Sequence, residues 1–545
     1  MAQPAPLVVT ASVPASVPAA VPAEEPAVVE SIDLGPKLTL LLEHDALIVH
    51  DRSSTKSTRT SCPPASSPAA TKPGSIPLYN ILWAELCVDS QTLTIDYAHE
   101  ATKHKLRAAT LTYPIPPIAS VPTITAFIST LISRSYGAAQ PRKRAFVLVN
   151  PNSGPGEAVK LFMREARPIF DAARMHLDVV ITSYQGEAAE LAEAMDVKAF
   201  DVVVACSGDG LPHEIFNGLG RRADARRALE SMPVVMLPCG SGNAMACNLY
   251  GTHRPSLAAL AIVKGVSTPL DLVSVTQGEK RTLSFLSQSL GLIADLDITT
   301  EGMRWLGSTR FTVGFFWLVW KKKLYPCDIA VKVEIDHKDG VREHYKSRVV
   351  AGGGGAGESG EDAGGRKSDR DSEATMTTTR TPLGENDALG LPPLRYGTVQ
   401  DKLPEGWELI RHEKLWSFYC GNMAYMSPGL DFFPAAMAND GLMDLVTIDG
   451  PVSAAKAIEV QLGVESGQYF DNPLIKYRKV SAYRIIPRVE DGNGIISIDG
   501  ERFDFKPFQA EVHPALGRTL SKVGGYENPG PKHWDKVTVS ERLLA

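Results

Sequence analysis

Three loops of small residues, each placed between a short apolar run and a helical pattern, constrain this chain more than any other feature. Residues 145–149 form an apolar run that ends in Asn150-Pro151-Asn152-Ser153-Gly154-Pro155-Gly156. Ala158, Leu161, Phe162, Ala166, Ile169, Phe170 and Ala173 then recur at helical spacing, interrupted only by Pro168. Residues 202–206 lead into Ser207-Gly208-Asp209-Gly210, and residues 234–237 into Pro238-Cys239-Gly240-Ser241-Gly242-Asn243, each again followed by a helical pattern. With a further strand at 177–181 and a helix at 187–195, this alternation predicts a parallel sheet covered by helices.

A chain of 545 residues exceeds one ordinary core, so two packed domains with flanking segments are expected. Residues 1–31 are an Ala/Pro/Val tract with no amphipathic period and are expected to be disordered. Residues 32–140 read as a β-rich lead-in, with runs at 38–49 and 76–97 and a Ser/Thr/Pro-rich linker at 52–73. The α/β domain is expected over 141–275 and a β-rich, sandwich-like domain over 276–524. Extended runs in the latter fall at 329–335, 415–420, 443–448, 481–486 and 494–498. A Gly/Ser/Thr-rich insertion at 352–391 interrupts it, and 525–545 form a C-terminal tail. The expected fold class is α/β plus β, with the active site in the cleft between the two domains.

Composition removes several function classes. A net charge of −6 without a basic patch argues against nucleic acid as a partner. Seven scattered cysteines lack the paired spacing of a zinc site, and the chain opens without a charged or apolar leader pattern, so a reducing, cytoplasmic setting is expected. The most apolar window, residues 311–320, is about half of the roughly 20 residues needed to cross a bilayer. Lys321, Lys322 and Lys323 end it, and a membrane-spanning protein is not expected.

A small-residue loop at a strand end offers backbone N–H groups and a helix N-terminus to an anion. Alone, the loop at 150–156 reads equally well as a plain turn; it is not a Walker loop, because no Gly-Lys-Ser/Thr follows. In Ser207-Gly208-Asp209-Gly210 the glycines let the backbone approach a ligand while Asp209 points an acid into the crevice. Phosphoryl transfer to an alcohol needs such an acid to take the hydroxyl proton, plus donors for phosphate oxygens. Asp209 by itself also fits a turn or helix N-cap residue. Three such loops at neighbouring strand ends favour phosphate binding.

As a set, Val149-Asn150-Pro151, Ser207 to Gly210 with Glu214 and Asn217-Gly218-Leu219, and Leu237-Pro238-Cys239-Gly240-Ser241-Gly242-Asn243 resemble the diacylglycerol-kinase-type catalytic domain. That domain is shared by diacylglycerol, ceramide and sphingoid-base kinases. The stretch from Gly291 through Asp295, Leu296 and Asp297 to Glu301, Arg304, Arg310 and Gly314 is similar to the sphingosine kinases in particular. Ser497-Ile498-Asp499-Gly500-Glu501 resembles the family's late Asp-Gly-Glu, and the run from Asn439 to Val446 also resembles the family without an assigned role. Either of these two stretches would also pass for a hairpin turn.

The resemblance implies an ATP-dependent lipid kinase, with Mg²⁺, acting on the primary hydroxyl of sphingosine, dihydrosphingosine or phytosphingosine. Asp209 would be the catalytic base. Nucleotide would meet Asn150, Pro151, Asn152, Ser207, Glu214, Gly240, Ser241, Gly242, Arg304, Arg310, Asp499, Gly500 and Glu501. By position after the second strand, Thr182, Ser183, Tyr184, Gln185 and Gly186 join them. Lipid would meet Ser207, Gly208, Asp209 and Gly210, and Asp297 would hold the amino-diol head group, as a cationic amine favours a carboxylate. Asp295 and Asp297 would equally serve as helix caps, and Arg304 and Arg310 as solvated side chains.

The first loop departs from the animal sphingosine kinases: Pro155 and Glu157 stand where lysines are common, and Lys160 is the nearest base. Phosphate holding there would rest on backbone groups with Asn150 and Asn152. The aromatic run at 311–320 beside three lysines suits either a membrane-surface contact or a buried helix at the domain junction. Peripheral membrane association is expected, and a homodimer is left open. A ceramide or diacylglycerol kinase, or a non-catalytic lipid- or nucleotide-binding module, is the alternative.

Overall fold

Strands that are apolar on both faces must be covered on both, and the two inner strands of this protein's parallel sheet are built that way. The computed structural model describes residues 29–51, 74–117, 120–299, 323–351, 389–488 and 494–539, without the side chains of residues 297–299. The expected N-terminal tail as far as residue 28, the linker at 52–73, the aromatic run at 311–320 and residues 352–388 of the insertion lie outside these residues.

Four strands, β1 (Arg144–Val149), β2 (His176–Ile181), β3 (Val202–Ser207) and β4 (Val234–Pro238), form a sheet of order β4-β3-β1-β2. Every pairing is parallel. No residue of β3 is more than 2% exposed, whereas β2 is an edge strand and leaves Ile181 51% exposed. The order reverses between β1 and β3, so their C-terminal ends flank the crevice where open α/β sheets bind ligands.

The blemish at Pro168 has a structural solution. Between the α-helical turns Ala158–Leu161 and Arg167–Ala172 the chain makes one π-helical turn, Phe162–Ala166. Proline lacks an N–H and its ring crowds the carbonyl four residues earlier. A widened turn relieves both demands without ending the helix.

From Val266 onward the chain builds an antiparallel sheet of eleven strands. The expected extended runs are found as Cys327–Ile335, Leu415–Gly421, Met443–Asp449, Lys476–Pro487 and Ile496–Ile498. Its last strand, Phe508–Ser521, returns to the parallel sheet, where Thr519 Oγ1 donates to Val234 O at 2.8 Å and Arg518 Nε to Glu230 O at 2.9 Å. The two layers are therefore stitched along their shared border. Inside the β-rich domain the fully buried Lys479 Nζ donates to Asp440 Oδ2 at 2.7 Å and Asp444 Oδ2 at 2.9 Å. This pairing gives the family-like run at 439–446 a structural role, because a buried ammonium must be matched by carboxylates.

The lead-in region contains two antiparallel sheets of four and three strands. It also contains a helix, Val121–Tyr136, that the sequence reading did not foresee. Lys264 Nζ, from the α/β domain, donates to Ser135 O at the end of this helix (3.0 Å) and lies 3.6 Å from the Tyr136 ring. No helix among the described residues is long and apolar enough to cross a membrane.

Candidate active site

The three small-residue loops interlock at the backbone. A β-carbon at Gly240 would lie 2.3 Å from Gly208 Cα, and one at Gly154, which has φ +58°, would lie 2.7 Å from Cys239 O. Only glycine permits such approach. Ser153 Oγ accepts from Gly208 N at 2.9 Å, tying the first loop to the second. Asn243, at φ +57°, closes the third loop on itself: its Oδ1 accepts from Gly240 N at 2.9 Å and its Nδ2 donates to Gly240 O at 2.8 Å.

Asp209 ends the turn after β3 and occupies the cap position of helix α2 (Gly210–Arg221), preceded in the chain by helix α1 (Glu187–Ala194). Its carboxylate does not cap α2. Instead Oδ2 accepts from Ala244 N at 3.1 Å and Oδ1 from Met245 N at 3.0 Å, in the first turn of α3 (Ala244–Tyr250). The unpaired N–H groups that open a helix thus hold the acid of the neighbouring loop. Both carboxylate oxygens of Asp209 thus accept from the backbone of α3.

Four residues further along α2, His213 Nδ1 lies 2.8 Å from Asp499 Oδ2. Asp499 and Gly500, at φ +52° and +85°, form the two-residue turn between strands Ile496–Ile498 and Glu501–Phe503. The left-handed pair is what a tight hairpin demands. The Asp499 carboxylate also accepts from Ser284 Oγ (2.6 Å), Phe285 N (3.1 Å), Leu286 N (3.0 Å) and Ser287 N (3.0 Å). Residue and turn border the cleft, but the carboxylate itself is turned inward and engaged by the protein.

Glu501 faces the cleft from the β-rich side. Its Oε1 would stand 3.2 Å from a β-carbon at Gly210, and Gln185 Nε2 approaches its Oε2 at 3.4 Å. Opposite it, Glu214 Oε2 accepts from Gly186 N at 3.0 Å. Burial pushes the Glu214 carboxyl up from its ordinary range, with the Glu501 charge adding to the shift and the Gly186 N–H opposing it.

These groups line one cavity of about 400 Å³. Asn150, Asn152, Thr182 to Gln185, Ser207 to Gly210, Glu214, Gly240 to Gly242 and Asp499 to Glu501 border it. Pro151 and Gly186 do not. Arg304 and Arg310 lie outside the described residues, as does the side chain of Asp297, which belongs to helix α4 (Leu292–Thr299). Asp295 is 6% exposed, and its Oδ2 accepts from Tyr325 OH at 2.6 Å. Among the described residues that line the cavity there is no lysine or arginine.

Leu286, Ile293, Leu296, Tyr419, Met426, Leu430 and Phe432 also line the cavity and make part of its wall apolar. Sequence reasoning missed this wall because it is assembled from four separated segments with no local pattern. Only the neighbourhood of Leu296, beside the Asp295/Asp297 pair, carried a signal. The small-residue loops, Asp209 and these apolar side chains therefore line the same cavity.

The chain matches the family described as diacylglycerol kinase catalytic domain over residues 144–275 and the YegS C-terminal NAD kinase beta sandwich-like domain over 410–520. Residues 30–137 match a domain of unknown function. It is 35% identical over 433 residues to Sphingoid long chain base kinase 5 of Saccharomyces cerevisiae, covering 73% of this chain and 62% of that protein's length. It is 30% identical over 455 residues to Sphingoid long chain base kinase 4 of Schizosaccharomyces pombe, covering 83% and 89%. With human Sphingosine kinase 1 the identity is 27% over 385 residues, covering 68% and 89%. These matches agree with the α/β sheet followed by an antiparallel β domain.

Proposed function

Since the chain belongs to the family of sphingoid long-chain base kinases, we propose that it transfers the γ-phosphoryl group of ATP to the primary hydroxyl of a sphingoid long-chain base. The observation that carries this reading is that Asp209, held by the Ala244 and Met245 N–H groups, borders a cavity lined both by the small-residue loops and by apolar side chains.

Asp209 accepts the hydroxyl proton as that oxygen bonds to the γ-phosphorus, while the bond from phosphorus to the β,γ-bridging oxygen breaks and ADP departs. The acid's two backbone bonds fix its direction, so little reorganisation accompanies the transfer. The interlocked loops at 150–156, 207–210 and 239–243 hold the phosphates through backbone N–H groups. Gln185, Glu214 and Glu501 border the nucleotide, and Asp499 acts as the positioning residue that sets the turn carrying Glu501. Asp297 holds the amino-diol.

The cavity lining combines Asp209, Glu214 and Glu501 with no basic side chain among the described residues. A polyanionic nucleotide in such surroundings requires cations, and the residues present fit one that arrives on the phosphates. No cluster of three metal-ligating side chains exists among the described residues, as expected for an ion held by one or two carboxylates and the phosphates. Glu501 is the carboxylate that would hold Mg²⁺ there, and the ion would neutralise the polyphosphate. Arg304 and Arg310 supply further positive charge. The lipid enters from a membrane surface through peripheral contact.

Turnover assays across sphingosine, dihydrosphingosine, phytosphingosine, ceramide and diacylglycerol test the proposal. Phosphorylation of the long-chain bases is expected; preferred turnover of diacylglycerol or ceramide would overturn it.

A further inference from the structure

We infer that Asn248 is a positioning residue for phosphoryl transfer: its amide locks the helix that holds Asp209 to the strand through which the β-rich domain reaches the cavity. The inference rests on the reading of Asp209 as the base, because Asn248 does not border the cavity and acts through that acid. Asn248 lies in α3 and is fully buried. Its Nδ2 donates to Ala244 O and Tyr425 O, both at 2.8 Å. Its Oδ1 accepts from Ala424 N at 2.8 Å and Tyr425 N at 3.0 Å. An asparagine amide has two N–H donors and one oxygen with two lone pairs, so every hydrogen-bonding direction is used.

The partners define what is held. Ala244 is the residue whose N–H binds Asp209 Oδ2, and Asn248 braces the carbonyl of that same residue. The other three bonds cross to the β-rich domain, to strand β5 (Tyr425–Ser427) and to Ala424 just before it. Met426 and Ser427 of that strand border the cavity. Acid and strand also approach each other across Gly242, where a β-carbon would lie 3.1 Å from Asp209 Oδ2 and 3.6 Å from Met426 O. A continuous set of hydrogen bonds therefore runs from Asp209 through Ala244 and Asn248 to Tyr425. It joins the base, carried by one domain, to the cavity wall supplied by the other. Apolar packing has no preferred direction, whereas a saturated buried amide resists sliding, because any shift leaves buried groups unpaired. Attack on phosphorus needs near-contact geometry, and a misplacement of about 1 Å can cost about 10²-fold in rate. A lipid seated against the β-rich wall presents its hydroxyl to Asp209 in the relative placement that Asn248 sets.

Asn248→Ser is the discriminating variant. A serine hydroxyl can bond the carbonyl four residues earlier in its own helix, so the brace on Ala244 O is kept while the three bonds to the strand are lost. The Tm should fall, but a purely structural residue would show that as well. The signature of positioning is a fall in kcat for a sphingoid base of about 10²-fold, measured below the Tm of the variant, with the KM for ATP unchanged. Because Asn248 acts through Asp209, the two losses should not multiply: adding Asn248→Ser to Asp209→Asn should lower the residual kcat by less than about threefold. A kcat for Asn248→Ser within about threefold of the unaltered protein would overturn the role, as would multiplying losses in the double variant. A raised KM for ATP or loss of the folded state would overturn it too, by assigning Asn248 to the nucleotide loops or to the core alone. If Asp209→Asn itself keeps its turnover, the reading of the base falls and this one with it. If Asp209→Asn loses turnover and Asn248→Ser does not, only the role of Asn248 falls.

Discussion

The Asp499 carboxylate of the β-rich domain lies 2.8 Å from His213 Nδ1 of the α/β domain, four residues beyond Asp209 on the same helical turn. One buried hydrogen bond thus spans the two walls of the cleft. Asp499→Asn would turn an amide N–H toward some of the five donors gathered there. Loss of about 1–3 kcal/mol of stability is expected, the cost of buried donors left without an acceptor. Glu501→Gln, two residues away on the cleft surface, should leave Tm unchanged and raise the KM for ATP. Denaturant unfolding of both variants, with ATP kinetics on each, checks the division; equal stability of the two would contradict it.

The backbone contact between Gly240 and Gly208 leaves no room for a methyl group. Gly240→Ala should separate the second and third loops, costing about 1–3 kcal/mol and weakening nucleotide binding. Thermal unfolding and the KM for ATP read both effects. A variant that keeps both values would show that the loops do not need their observed spacing.

Two buried lysines at the junction with the lead-in region set a pH dependence. Burial, followed by repulsion from Lys143, pulls the Lys264 ammonium down to about 7, and burial pulls Lys143 down to about 8. An unfolded lysine titrates near about 10.4, so between these values the unfolded chain binds more protons and stability rises with pH. The same contribution is lost as pH falls through about 8 and then about 7. In Lys264→Met the part due to Lys264 disappears. The Tm of the unaltered protein minus that of the variant should therefore increase from about pH 6.5 to about pH 9. Parallel Tm profiles would contradict the assignment.

The parallel sheet and its loops were legible in the sequence because each is local: an apolar run, a small-residue loop and a helical period lie within about thirty residues of one another. The Asp499-Gly500 turn was legible for the same reason. What its carboxylate does was not, since its five partners come from residues 213 and 284–287. Likewise Asp209 looked like a possible cap for the helix it precedes, whereas it holds the N–H groups of a helix that begins at Ala244. The apolar wall was hidden because tertiary packing, and no motif, collects Leu286, Tyr419, Leu430 and Phe432. The helix Val121–Tyr136 was missed because Val, Ile, Thr and Ser crowd its sequence, and these residues have modest helix preference. Packing of Ile124, Phe127 and Leu131 supplies what propensity lacks.

The central claim is that Asp209 takes the proton of the lipid hydroxyl. Asp209→Asn keeps the side chain's shape and one oxygen to accept a helix N–H, but removes the base. Its kcat for a sphingoid base, measured beside the binding constants for ATP and lipid, is the most direct test. A fall in kcat of about 10²–10⁴-fold with both ligands still bound is expected. Turnover within about threefold of the unaltered protein would contradict the role assigned to Asp209.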